Sequence, residues 1–218
     1  MDVKKTALLL IDMQKESKYG IEGMEEAVIN AKTLLSACRQ ENIPVIYTRH
    51  ISRADAIGLP NNEVLDHSGK PIYYCSDAES KEIIDEIKPE SNDIVIDKHR
   101  WSGFYQTELD LILRSLGIKH LIMGGFVTDC CLMTSAFDAY ARDYQVNIVK
   151  DICGATNSGS HQSSLLIMAN WIYDLKIFDT EEIIKMLRGE TYEAWECTTP
   201  DQMQFTPENM REIFSKLS

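Results

Sequence analysis

Leu121-Ile122-Met123-Gly124-Gly125-Phe126-Val127-Thr128-Asp129-Cys130-Cys131-Leu132 is the stretch whose reading decides the fold. The leading apolar run reads as a buried strand, and the two glycines permit a sharp turn and a close approach of the backbone. Thr128-Asp129 then opens a helix with a cysteine in its first turn. A strand that turns directly into a helix is the repeating unit of an α/β sheet. Backbone N–H groups in a first helical turn lack intrahelical acceptors, and the helix dipole favours negative charge there. A thiol in that place is therefore expected to ionise more readily than a free one, and the thiolate is the nucleophile. The competing reading is a buried packing cysteine, a common fate of that residue type.

The same alternation of strand and helix runs outward in both directions. Residues 7–11 (Ala-Leu-Leu-Leu-Ile) are continuously apolar, as a strand buried on both faces should be. Met24, Val28, Ala31, Leu35 and Cys38 fall at spacings of four and three and define one helical stripe. Further strands are predicted at residues 45–48, 93–96, 119–123, 146–149 and 175–178. Leu109, Ile112, Leu113 and Leu116 share a helical face between Thr107 and Gly117. A polar helix is expected around residues 78–87 and another helix over 160–173. Asp179 and Glu182 frame a capping box for a helix closed by Gly189. Residues 49–77 lack periodicity and form a long loop of the kind that carries function.

These elements predict an α/β fold of three α/β/α layers, Rossmann-like, with a largely parallel six-stranded sheet and helices on both faces. The domain is expected to span residues 1–189, with 190–218 as a C-terminal extension. Within the extension, Thr206-Pro207-Glu208 reads as cap, first-turn proline and first-turn acid. Met210, Ile213, Phe214 and Leu217 form an apolar stripe behind it. That amphipathic helix must bury against its own domain or a partner subunit, and a homodimer or homotetramer is expected.

Composition narrows the classes of function. The chain has 218 residues, 44% apolar and 26% charged, enough for one sizeable core. No run of about 18 apolar residues offers a membrane span, and the N-terminus lacks a signal-peptide pattern. The net charge is −12, from 22 basic and 34 acidic side chains, and no basic stripe suggests nucleic acid. The acidic field is compatible with a cationic substrate. Six cysteines are scattered without a C-x-x-C pair, which suits reduced thiols in a cytoplasmic protein better than a disulfide framework or a zinc cage.

In open α/β sheets, ligands bind outside the carboxyl ends of the strands. Asp12 follows the first strand, Lys98 the third and the cysteine pair the fourth. A carboxylate at a buried strand end is costly unless partnered or placed at a cleft. Together the three suggest a site where lysine offsets carboxylate and thiolate charge, leaving the carboxylate free to take the thiol proton.

On these residues the chain resembles the isochorismatase-like cysteine hydrolases over residues 6–178. Leu10-Ile11-Asp12-Met13-Gln14 is similar to that family's strand-end Asp-x-Gln. Lys98-His99-Arg100-Trp101-Ser102-Gly103-Phe104, continuing to Thr107-Glu108-Leu109, is similar to its lysine, Ser-(Ala/Gly)-Phe and Thr-(Asp/Glu)-Leu. Gly125-Phe126-Val127-Thr128-Asp129-Cys130-Cys131 matches Gly-x-x-Thr-Asp-x-Cys. The resemblance implies Cys131 as nucleophile, Asp12 as general base and Lys98 as charge-stabilising third member, with Cys130 in a variable, pocket-wall position. It implies a cis Phe126–Val127 peptide that aims the N–H of Val127, with that of Cys131, at the oxyanion. Gln14 is a candidate orienting residue at the substrate, and Tyr19, Trp101, Phe104 and Phe126 are candidate pocket walls.

The implied reaction is hydrolysis of an amide, lactam or ureido C–N bond of a small molecule by water, through a thioester and without a cofactor. Nicotinamidases, by contrast, carry an Asp-x-His metal site after the second strand. Here that place reads Tyr47-Thr48-Arg49-His50-Ile51, with His67 later, so no catalytic metal is expected and His50 and His161 read as ordinary polar groups. The residues 151–156 and the tail resemble members acting on larger or ureido-type amides, including streptothricin-type lactam hydrolases and biuret-like hydrolases. The alternatives are an isochorismatase-type ether hydrolase and a non-catalytic binding or assembly module on the same fold.

Overall fold

Side chains of β1 (Thr6–Ile11) alternate between two separate cores. Ala7, Leu9 and Ile11 join one cluster, and Leu8 and Leu10 join the other. Successive strand residues point to opposite faces, so an all-apolar strand demands cover on both sides. A computed structural model describes residues 1–16 and 20–217 and supplies that cover.

After β1 come α1 (Met24–Gln40), β2 (Val45–His50), β3 (Ile94–Lys98), α2 (Leu109–Ser115) and β4 (His120–Phe126). A wide π-helical turn, Thr128–Leu132, leads into α3 (Met133–Tyr140). The chain continues through β5 (Gln145–Gly154), α4 (Ser158–Trp171), β6 (Lys176–Phe178), α5 (Thr180–Leu187), β7 (Trp195–Glu196) and α6 (Met210–Phe214). The strands lie in the order β3-β2-β1-β4-β5-β6-β7. All neighbours are parallel except β7, which pairs antiparallel with β6. Helices α1 and α5 cover one face, while α2, α3, α4 and α6 cover the other.

The sheet therefore has seven strands where six were expected. The additional strand is two residues long, too short for any periodicity to announce it. The polar helix expected at residues 78–87 is instead two 3-10 turns, Glu79–Lys81 and Asp85–Ile87. Between them, Glu82 O accepts from Lys15 N–H at 2.8 Å and Ile84 N–H donates to Met13 O at 3.0 Å. Those bonds to the segment leaving β1 hold the connection extended and interrupt a helix.

Two expected caps are also replaced. Asp179 pairs with Lys150 at 2.7 Å, and the Asp151 carboxylate accepts the Thr180 N–H (3.0 Å) and hydroxyl (2.8 Å) at the start of α5. Glu182 accepts the Glu193 N–H at 2.8 Å and does not reach back to residue 179. In the tail, Thr206 gives its N–H to Asn209 Oδ1 at 2.6 Å, and α6 starts only at Met210.

Residues 190–217 pack on the body of the same chain. Trp195, Met203 and Leu217 enter the core beside α4, and Met210, Ile213 and Phe214 lie against it. Asn170 of α4 clamps the Met203 backbone in both directions, donating at 3.2 Å and accepting at 2.7 Å. Lys150 donates to the Leu217 carbonyl at 2.9 Å. Burial of a leucine in a packed site makes its truncation costly, so Leu217→Ala should lower unfolding free energy by about 2–5 kcal/mol in urea titrations. A loss under about 1 kcal/mol would mean the tail is not docked in solution.

Candidate active site

Three strand ends and one glycine build the site. Ile11 and Thr48 are register partners on β1 and β2. The Thr48 hydroxyl donates to Asp12 Oδ1 at 2.7 Å and accepts the Asp12 N–H at 3.2 Å. Asp12 itself turns into the left-handed region (φ 48°), which Asp tolerates better than most residues and which swings its side chain off the strand direction. On the other flank, Gly125 has φ 122°, and a Cβ there would stand 2.1 Å from the Ile11 carbonyl oxygen. Only glycine lets β4 press this closely against the end of β1.

Lys98 ends β3 with its side chain wholly buried. Its ammonium lies 2.6 Å from Asp12 Oδ2, donates to the Arg100 carbonyl at 3.0 Å and sits 3.4 Å from His50 Nδ1. Burial alone would lower the ammonium's pKa, but Asp12 and Cys131 beside it outweigh that and hold it above its ordinary value. His50 is pushed down to about 4, first by burial and then by the Lys98 charge. A neutral ring can offer Nδ1 as an acceptor to the ammonium. Trp101 stacks on the other side of that ring, with centroids 5.2 Å apart at 24°, and Tyr74 meets it edge-on at 5.0 Å.

The nucleophile candidate stands in the turn after β4. The Phe126–Val127 peptide is cis. Cys130 and Leu132 both donate their N–H to the Val127 carbonyl at 3.2 Å. Cys131 is only 6% exposed and faces Asp12 and Lys98. Its carbonyl accepts from Ser135 Oγ at 2.6 Å, and that oxygen in turn accepts the Gly103 N–H at 2.9 Å, tying the turn to the loop after β3. Thr128 is buried with its hydroxyl 3.0 Å from His161 Nδ1, and the His161 ring meets Phe214 of α6 edge-on at 5.8 Å. The tail thus buttresses the turn that carries Cys131 through α4.

Several expectations need correction. Cys131 is not an acidic thiol in this state. Its hydrogen bond with the Cys130 sulfur, its burial and the nearby Asp12 charge hold it well above the usual thiol value, outweighing Lys98. The same bond lowers Cys130. Gln14 is not placed to hold a substrate. Its Nε2 donates to the His50 and Lys81 carbonyls (3.0 and 2.7 Å), and its Oε1 accepts the His50 N–H at 2.8 Å. Phe104 and Phe126 are core residues, 4% and 2% exposed, and do not wall a pocket. Phe104 packs between Tyr144 and Arg142 because α2 and α3 close over it. Phe126 lies in the opposite cluster with Ile21 beside Gly154. Trp101 remains half-exposed at the site, and Tyr19 lies outside the described residues. Among the described residues, no group of three or more His, Cys, Asp and Glu side chains is arranged to hold a metal ion. Thr48, Ser135 and the neighbourhood of His50 and His161 were not singled out by sequence. Each belongs to the site only through a partner on another strand or helix.

The His50 environment has a consequence for stability. Its pKa falls from 6.5 to about 4 on folding, so between those values the unfolded chain binds the extra proton. Unfolding free energy should therefore fall as pH drops through this window, by about 3 kcal/mol from this group. Comparing wild type with His50→Gln by urea denaturation at pH 7 and pH 4 isolates it. An equal acid loss in both proteins would refute the buried neutral ring.

With this geometry in place, comparisons with known proteins are informative. Residues 6–176 match the isochorismatase domain model. A ureidoacrylate amidohydrolase, RutB, of Caulobacter segnis is 28% identical over 69% of this chain and 73% of its own. The crystal structure of a cysteine hydrolase from Pseudomonas syringae superposes with a TM-score of 0.79 at 26% identity, covering 87% of this chain and 95% of that one. N-carbamoylsarcosine amidase from Thermoplasma acidophilum gives a TM-score of 0.66 at 28% identity, covering 82% and 98%. A domain match across most of the chain, on a sheet that carries Asp12, Lys98 and Cys131 at its strand ends, makes this protein a member of the isochorismatase family of hydrolases.

Proposed function

We propose that the protein hydrolyses a C–N bond of a small ureido or carbamoyl amide through a thioester on Cys131. The observation that carries this reading is the buried meeting of Asp12, Lys98 and Cys131 at the ends of β1, β3 and β4. Asp12 Oδ1 is occupied by Thr48. Oδ2 pairs with Lys98 at 2.6 Å, and a carboxylate oxygen that takes one donor keeps a second lone pair for a proton.

Cys131 rests as a thiol and loses its proton to Asp12 as the sulfur attacks the carbonyl carbon. Lys98 offsets the negative charge that persists across this transfer, which is the function of a cation buried beside two acids. The developing oxyanion turns toward the N–H groups of Val127 and Cys131. Asp12, now protonated, passes its proton to the leaving nitrogen, and the C–N bond breaks to leave the thioester. Asp12 then draws a proton from water as the water attacks the thioester carbon, the C–S bond breaks to release the acid, and Asp12 returns the proton to the Cys131 thiolate. The named activities of RutB and of N-carbamoylsarcosine amidase, both on C–N bonds, support this class. A vinyl ether would need no acyl acceptor, which sets ether hydrolysis behind amide hydrolysis.

Assay of ammonia or amine release across ureides, carbamoyl amides and lactams tests the class, and silence across all of them would sink it. Within an active assay, Cys131→Ala should lower kcat by about a thousandfold or more, as loss of a covalent nucleophile does. Cys130→Ala should stay within about tenfold, and the reverse pattern would assign the nucleophile to the neighbour. Thr48→Val removes a hydrogen bond to a charged group, worth about 1.5–3 kcal/mol, so kcat/KM should fall about 10–100-fold with the fold retained. An unchanged rate would show that Asp12 needs no such clamp.

A further inference from the structure

The two adjacent cysteines are chemically unlike, and the proposed hydrolysis uses only one of them. Side chains one residue apart do not face each other on a regular helix. The wide π turn over Thr128–Leu132 alters that spacing, and the Cys131 thiol donates a hydrogen bond to the Cys130 sulfur. Cys131 is buried, whereas Cys130 is partly open to solvent. A buried thiol therefore stands directly behind an accessible one.

The other thiols set the contrast. Burial pushes Cys38 up to about 12 and also raises Cys75, Cys153 and Cys197. Cys131 is raised by its bond to Cys130 and by its burial. Of the six, only Cys130 is lowered. The bond from Cys131 stabilises its thiolate, the Lys98 charge adds to this, and together they outweigh partial burial. Thiolate character and exposure decide which cysteine a small oxidant attacks, and a neighbouring thiol can resolve the product.

We propose that Cys130 is a peroxide-sensitive thiol and Cys131 its resolving partner, so that oxidation joins them in a reversible vicinal disulfide. The Cys130 sulfur attacks one oxygen of hydrogen peroxide. An S–O bond forms, the O–O bond breaks, and the departing hydroxide takes up the proton that Cys130 released. The Cys131 sulfur then attacks the sulfenic sulfur of Cys130. An S–S bond forms, the S–O bond breaks, and the departing hydroxide leaves as water with the Cys131 proton. Two thiols lose two electrons, and one hydrogen peroxide is reduced to two waters.

Neighbouring Cα atoms lie about 3.8 Å apart, closer than the roughly 4.4–6.8 Å of ordinary disulfides, so this bond stays easy to reduce. Closing the ring also turns the peptide between the cysteines, whose carbonyl accepts from Thr134 Oγ1 at 2.7 Å. The Cys131 N–H belongs to that same peptide. Oxidation thus removes the attacking sulfur and displaces one oxyanion donor together. That consequence rests on the hydrolase reading above, whereas the disulfide itself does not.

Full-length reduced protein, exposed to a slight excess of hydrogen peroxide and read by intact and peptide mass spectrometry, tests the pair. Wild type should lose two hydrogens, mapped to residues 130 and 131, and regain them with dithiothreitol. In Cys131→Ala the reaction should stop at a sulfenic acid on Cys130, trapped by added dimedone. Cys130→Ala, or Cys130→Ser where alanine does not fold, should lose no hydrogens at the same exposure. Wild type that keeps all six thiols, a trapped sulfenic acid on Cys131 with Cys130 reduced, or a disulfide between other cysteines overturns the proposal. Amide turnover separates the two readings. Turnover that persists in fully disulfide-bonded protein removes Cys131 as nucleophile and leaves the disulfide standing. Turnover by an enzyme whose thiols survive peroxide intact does the opposite.

Discussion

A lysine ammonium and an aspartate carboxylate, 2.6 Å apart and both shut away from water, constrain everything around them. Taking two charges out of water costs several kcal/mol for each, and mutual attraction offsets this only when the geometry is good and the remaining donors and acceptors are satisfied. The structure meets those terms from several elements. Thr48 of β2 fixes one Asp12 oxygen, and the Arg100 carbonyl and the neutral His50 ring take the other sides of the ammonium. Gln14, on the segment leaving β1, in turn holds the His50 backbone. Gly125 lets β4 come near enough for Cys131 to join the pair.

The Asp12 half of that pair also helps keep Cys131, the proposed nucleophile, a neutral thiol at rest, while Lys98 pulls the other way. A helix start favours a thiolate, but the effect falls off within the first turn and is worth about 1 kcal/mol. The bond to Cys130, burial and an adjacent carboxylate act in the opposite direction and win at Cys131. A neutral thiol beside an available carboxylate is a sound resting state for the proposed acyl transfer, in which the proton moves only when a carbonyl is there to be attacked. Lys98 keeps the total charge of the cluster balanced before and after the transfer.

The long loops and the tail then divide the remaining labour. The segments after β2 and β3 surround a cavity, whereas the tail supports the turn after β4 through Phe214, His161 and Thr128. Neither job is visible in local sequence. Residues 49–77 show only a lack of periodicity, and the role of His161 depends on a threonine 33 positions away. The expected walls Phe104 and Phe126 failed for the same reason. An aromatic residue near a turn can face a cleft or a core, and packing by neighbouring helices decided for the core.

The sequence by itself determined the strand and helix alternation, the two-sided burial of β1 and the placement of Asp12, Lys98 and the cysteines at strand ends. These follow from periodicity and from short-range chemistry, which the order of residues encodes directly. Only the tertiary structure decided the two-residue β7, the broken helix at residues 79–87, the capping of α5 by Asp151 and the clamping of Asp12 by Thr48. Each depends on which residues become neighbours across strands. Parallel register brings together groups dozens of positions apart, and no local pattern carries that information. The charge state of Cys131 belongs to the same class, since burial and unlike neighbours set it, and both exist only once the chain has folded.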